Sequence, residues 1–262
     1  MKDIKIQILD ANGDERLSAC GASHSELVWY GSYEPGDVIC IEMEPKSFAN
    51  IQIDTLIKPA LVYCKEGFFV FDVPFGRAKE AYPQEAFALQ GHQITAEYVE
   101  KPVGRRCLSE NSLDVRAEIG VYPHCTASVE TRGESVFAAR NTIDGLIITS
   151  GHGFWPHTSW GEGEDADAEI VIWFGRKVLA EEVQVFIRSD FPHDNYWQEA
   201  LLCFSDGYEE TIHLTKTGAC QSFVLSEPRV VEWVKMRKFK KDENDPSPFP
   251  ALTQWRVYGR EV

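Results

Sequence analysis

The sequence predicts an all-β chain of two β-sandwich domains, and three observations carry that expectation. Nearly every apolar run is short, rich in β-branched and aromatic residues and bounded by turn residues. A helix fits only at 77–86, where Pro83 keeps it short. The strand rhythm lapses between Glu100 and Val121 and then resumes. That divides the 262 residues into an N-terminal domain over 1–105 and a C-terminal one over 118–262.

The first element, 1–8, alternates polar and apolar residues as a half-buried strand does. Residues 38–43, 49–53 and 60–64 follow as short strands. Lys65-Glu66-Gly67 reads as a tight turn into 68–73, and 94–99 closes a small antiparallel sandwich. Lys101-Pro102-Val103-Gly104-Arg105-Arg106 and Asn111-Ser112 have the composition of an inter-domain connection. Strands resume at 169–174 and 182–188. Residues 200–204 and 210–214 flank Ser205-Asp206-Gly207, a hairpin signal. Strands at 221–225, 231–236 and 254–258 finish the chain.

A formal charge of −15 with no offsetting Lys/Arg cluster excludes a nucleic-acid partner and disfavours an anionic membrane surface. The start lacks the continuous apolar core of a signal peptide, and no later segment is long and apolar enough to span a bilayer, so the expected location is cytoplasmic. Seven scattered cysteines, with Cys40, Cys64 and Cys203 inside apolar runs, point to buried free thiols rather than a disulfide framework. No CxxC pair supports a structural zinc site.

Four stretches of the C-terminal part, in order, resemble the discoidin-like (coagulation-factor type C) domains and the family 32 carbohydrate-binding modules. They are Ala138-Ala139-Arg140-Asn141-Thr142-Ile143-Asp144-Gly145, Thr158-Ser159-Trp160, Ile172-Trp173-Phe174-Gly175-Arg176 and Arg256-Val257-Tyr258-Gly259. The resemblance covers roughly residues 118 to 262. It implies a galactose-binding-like jelly roll with ligand loops at one end, non-catalytic glycan binding and a structural calcium ion, for which Asp144 is the candidate ligand. Two departures stand out. Ser150-Gly151-His152-Gly153-Phe154-Trp155-Pro156-His157 lengthens the segment before Thr158. Gln254 occupies the position where such domains place a carboxylate, and calcium prefers anionic oxygens.

The candidate ligand surface is a pair of loops. Arg188-Ser189-Asp190-Phe191-Pro192-His193-Asp194-Asn195-Tyr196-Trp197 alternates hydrogen-bonding groups with flat aromatic faces, and the insertion around His152, Trp155 and His157 has the same character. A sugar needs that mixture, because its C–H face packs on a ring while its hydroxyls need fixed donors and acceptors. A pyranose is expected to stack on Trp155 or Trp197, with Arg188, Asp190, His193 and Asp194 bonding its hydroxyls. The bland alternatives are that Trp160 packs the core, that Trp197 caps a sheet edge and that the aspartates cap turns.

The expected partner is a carbohydrate or sugar conjugate, which a cytoplasmic protein would meet as a small intracellular sugar. Two alternatives stand beside it: a subunit interface making a homo-oligomer, or a hydrolase acting on a sugar derivative. The histidine spacing fits no compact transition-metal motif. His193 and Asp194 are adjacent on an extended loop and so point apart, against an acid/base couple. Phe249, in the charged and proline-rich loop before the last strand, reads as an anchor.

Overall fold

A computed structural model describes residues 2–189 and 195–262, and it is all-β. Eight strands form the first half: β1 (Ile4–Leu9), β2 (Glu15–Gly21), β3 (His24–Trp29), β4 (Val38–Glu42), β5 (Ser47–Gln52), β6 (Ala60–Cys64), β7 (Phe68–Asp72) and β8 (His92–Val99). One sheet runs β2-β1-β4-β7, and the facing sheet contains β6-β5-β8-β3. Alternation builds the core between them: Ile4, Ile6 and Ile8 on β1, Ile39 and Ile41 on β4, and Phe69 and Phe71 on β7 are fully buried.

The Lys65-Glu66-Gly67 turn does not close a hairpin. It crosses from β6 in one sheet to β7 in the other. Gly67 sits at φ +89°, where a Cβ would come within 2.9 Å of Pro45. Glycine chemistry marks the turn but not which sheet receives the next strand. The expected helix is a short 3-10 segment, Gly76–Ala81.

In the second half, β11 (His124–Ala127), β12 (Glu169–Ile187), β13 (Trp197–Phe204), β14 (Glu209–His213), β15 (Gln221–Lys241) and β16 (Leu252–Glu261) make one continuous antiparallel sheet that folds over on itself. Two pairs of expected strands are in fact single bent strands. β12 joins 169–174 to 182–188 through register breaks after Trp173 and Ala180, and β15 joins 221–225 to 231–236. The bends let each long strand serve both layers. Between those layers Ile170, Ile172, Phe174, Val183, Trp160, Trp197, Trp255 and Val257 are fully buried.

The stretch between the halves adheres to both. β9 (Arg106–Cys107) pairs with Tyr258 and Gly259 of β16, and Leu108 enters the second core. Leu113 and Ile119 enter the first core, and β10 (Val121–Tyr122) adds to the edge of β6.

Arg140, in the 3-10 turn Ala139–Thr142, closes the seam. Its guanidinium is buried, lies 4.7 Å from the ring centroid of Tyr82 in the first core, and donates to three acceptors. These are the carbonyls of Asp114 (2.6 Å) and Ser112 (3.1 Å), which bracket Leu113, and Asn141 Oδ1 (3.1 Å). Arg176 makes a second rivet. It bonds Glu261 at 2.6 and 2.7 Å and lies about 5 Å from the rings of Phe48 and Tyr63.

Replacing Arg140 by Met keeps much of the apolar stem but orphans three buried acceptors. It should lower the unfolding free energy by on the order of 3 kcal/mol, read as a shifted midpoint in urea. An unshifted midpoint would mean the seam does not depend on this guanidinium.

Candidate functional site

Arg188 leaves the end of β12 pinned to the segment before β16, its backbone N–H donating to the Ala251 carbonyl at 3.0 Å. Its side chain is buried, and one guanidinium nitrogen lies 3.4 Å from Ser159 Oγ. Ser159 is itself held in place. Its backbone N–H donates to Val136, and the next residue, Trp160, exchanges two 2.8 Å backbone bonds with Leu252. The Trp160 indole is fully buried and donates to the Val129 carbonyl, so it packs the core.

Beyond Trp160 the chain runs into Gly161-Glu162-Gly163-Glu164. Glu162 is buried and accepts the Trp197 indole N–H at 2.8 Å. A cavity of about 250 Å³ opens here, bordered by Arg188, Glu162, Glu164, His152, Arg132 and Phe249. Phe249 keeps half its surface, 51%, exposed at the rim. The Asn195 amide fastens the loop that carries it, donating to the carbonyls of Asp242 and Ser247. Burial pushes the Glu162 carboxyl up to about 7, against the pull of the Trp197 hydrogen bond and the Lys241 charge. Near neutrality this carboxyl can therefore donate as well as accept.

Of the residues expected from sequence to form the ligand surface, His152 and Arg188 come together at this cavity. Trp155 goes elsewhere. Its backbone N–H docks on the Glu80 carbonyl of the first half, and its ring borders a cleft with Tyr82 and Lys79. His157 turns back on its own loop, its N–H bonding Phe154, with Nδ1 buried and without a hydrogen-bond partner among the described residues. Trp197 is not a stacking platform. It is fully buried, 4.8 Å from Phe239 and 6.1 Å from Trp160, because its place at the start of β13 turns the indole into the core. Asp190, His193 and Asp194 lie outside the described residues.

Glu162 was not expected at the site, and Phe249 was expected only as an anchor. Neither has a local signal, since each reaches the cavity through contacts distant in sequence.

Asp144, the residue expected to bind calcium, lies beside the Arg140 seam. It is buried, its Oδ1 accepts the Leu146 N–H, and burial pushes its carboxyl up to about 7, partly offset by the nearby Arg140 charge. The Ser112 and Asp114 carbonyls and Asn141 Oδ1 accept from Arg140. Gln254 is fully buried, and neither its amide oxygen nor its amide nitrogen is bonded among the described residues. No group of three or more His, Cys, Asp or Glu is gathered for a metal among the described residues.

No family model and no curated protein matches the chain. Among solved structures it is similar to family 32 carbohydrate-binding modules. One, from Clostridium perfringens, was solved with galactose; it is 14% identical, at a TM-score of 0.41 over 59% of this chain and 99% of that one. A chitosan-binding module from Paenibacillus sp. IK-5 is 17% identical, at 0.39 over 59% and 99%. The family 32 module of Streptococcus pneumoniae EndoD is 12% identical, at 0.41 over 53% and 97%.

The raised Glu162 pKa has a stability consequence with a definite sign. The folded state holds this proton more tightly than the unfolded chain does. The associated stability is therefore complete below the ordinary Glu range and is lost as pH rises through about 7. Glu162→Gln stays neutral and can still accept the Trp197 indole N–H. Its advantage over the parent should grow by on the order of 2 kcal/mol between pH 5 and pH 8, which is several degrees in Tm for a chain of this size. A difference in Tm that stays constant across that window would mean Glu162 titrates normally.

Proposed function

We propose that the chain binds a carbohydrate or sugar conjugate without transforming it, and that the ring sits in the cavity between Arg188 and Phe249. One observation carries the reading. An exposed aromatic ring, a buried guanidinium, an imidazole and a carboxyl that can donate or accept converge on one small cavity. The Phe249 face offers C–H contacts to a pyranose. Arg188, beside Ser159 Oγ and held by the Ala251 carbonyl, sets a planar cation at the cavity wall. At about 250 Å³ the cavity lies below the roughly 300–1,000 Å³ of drug-sized pockets, which suits a single sugar ring. A monosaccharide of about a dozen heavy atoms, at roughly 0.3 kcal/mol each, would bind with a Kd of about 2 mM. Useful affinity then comes from a longer glycan or from several sites.

Glu162 and Glu164 border the same cavity. That pair of carboxyls is the observation favouring the second reading, hydrolysis of a sugar derivative, since paired carboxyls at suitable spacing cleave glycosides. Turnover of nitrophenyl glycosides that disappears in Glu162→Gln would replace the binding reading.

For the binding reading, calorimetric titration should follow a glycan-array screen. Phe249→Ala should weaken the best hit at least tenfold while Tm stays within a degree or so, because the ring is half exposed. Unchanged affinity contradicts the proposal. A change of oligomeric state in the same variant, seen by light scattering, would point to a subunit interface instead.

A further inference from the structure

Trp173 and Trp233 stand directly opposite each other on β12 and β15, with ring centroids 6.2 Å apart and planes at 57°. Ile172 and Phe174 on either side of Trp173 are fully buried, so alternation sends the Trp173 indole outward, and Trp233 packs beside it partly exposed. Trp173 remains 39% exposed, and its indole N–H donates to Thr126 Oγ1 at 2.9 Å, which orients the ring. Burying these rings in the core would require slipping the strands by one residue and exposing Ile172 and Phe174. Trp173 is thus a fixed aromatic face on the flank of the sandwich, with Trp233 tilted against it and Lys235 Nζ 5.8 Å from the Trp233 ring centroid.

Beside it opens a cleft of about 650 Å³, bordered by His124, Tyr122, Glu118, Arg116 and Glu232. His124 is only 6% exposed. Its Nδ1 lies 2.6 Å from Asp114 Oδ1, while Asp114 Oδ2 accepts the Cys125 backbone N–H. Two N–H donors on one carboxylate keep the imidazole proton on Nδ1 and aim the other edge at the cleft. There Nε2 has no hydrogen-bond partner among the described residues. Burial disfavours the imidazolium, but the hydrogen bond and charge of Asp114 outweigh it and raise the His124 pKa. Nε2 thus accepts from a ligand when the ring is neutral and donates when it is charged. Tyr122 donates to Glu118 at 2.9 Å, leaving the other Glu118 oxygen for a ligand.

We propose that this flank cleft is a second saccharide site, with a sugar ring lying on Trp173 against the edge of Trp233 and its hydroxyls bonded by His124 Nε2, Glu118 and Glu232. An exposed indole with a partly buried one in register beside it, and directional donors and acceptors along one edge, suit a ring that is apolar on its face and polar around its rim. The neighbouring thiol provides no nucleophile. Cys125 is buried, its Sγ lies 3.5 Å from Thr142 Oγ1, and burial raises its pKa. Among the described residues the flank cleft shares no bordering residue with the Arg188 cavity, so the two sites stand or fall separately.

The seven tryptophan indole N–H signals separate them in solution. Trp173 and Trp233 report the flank cleft, while Trp197, bonded to Glu162, reports the Arg188 cavity. With the signals assigned by single Trp→Phe variants, the chain is titrated with lactose, cellotetraose, chitotetraose and trigalacturonate. The expected result is that at least one probe moves the Trp173 and Trp233 signals saturably, and that Trp173→Ala raises its Kd at least tenfold with the other indole signals in place. Probes that move only Trp197, or that move nothing, overturn the flank site. So does an unchanged Kd in Trp173→Ala.

Discussion

A single buried guanidinium organises the molecule. Arg140 cannot shed its charge, so it must be surrounded by acceptors, and meeting that demand draws three parts of the chain to one point. The carbonyls of Ser112 and Asp114 come from the stretch between the halves, Asn141 from its own 3-10 turn, and the Tyr82 ring from the first core. From there two lines of hydrogen bonds run outward. Asp114 passes the constraint to His124 at the flank cleft. Asn141 donates to the Ser159 carbonyl, and Ser159 Oγ meets Arg188 at the loop-end cavity. Both candidate sites therefore stand on groups tied by hydrogen bonds to one buried cation.

The loop-end cavity shows how a core residue and a surface site share one atom pair. Trp197 needs an acceptor for its buried N–H, and Glu162 supplies it. The same contact holds a carboxyl at the cavity wall in an environment where ionisation is expensive. Trp197 thus lies beneath the cavity wall and orients Glu162 there. The aromatic surface comes instead from Phe249, on a loop held down by the Asn195 amide.

What could be read from sequence divides along physical lines. Alternation at Ile4, Ile6 and Ile8, or along β12, is a local property, and it carried the all-β fold. Bends did not show, because the 174–182 stretch of β12 looks like a loop until its partners in β15 and β16 keep it extended. The Lys65–Gly67 turn carried its glycine signal but not its destination. Arg188 stood out in the sequence because it directly follows a confident strand, and His152 because of the composition of its loop; both border the loop-end cavity. Trp155 and Trp197 carried the same composition signal and were drawn away, one to the Glu80 carbonyl and the other into the core. Aromatic composition alone does not distinguish a ring that stacks on a ligand from one that packs under the site.

The central claim, that a sugar ring occupies the cavity between Arg188 and Phe249, is tested most directly by a crystal structure of the chain soaked with the glycan that binds best in solution. The account predicts density for a ring packed on Phe249, with hydroxyls within hydrogen-bond distance of Arg188, His152 and Glu162. Density for that glycan elsewhere on the surface, with the Arg188 cavity holding only water, would contradict it.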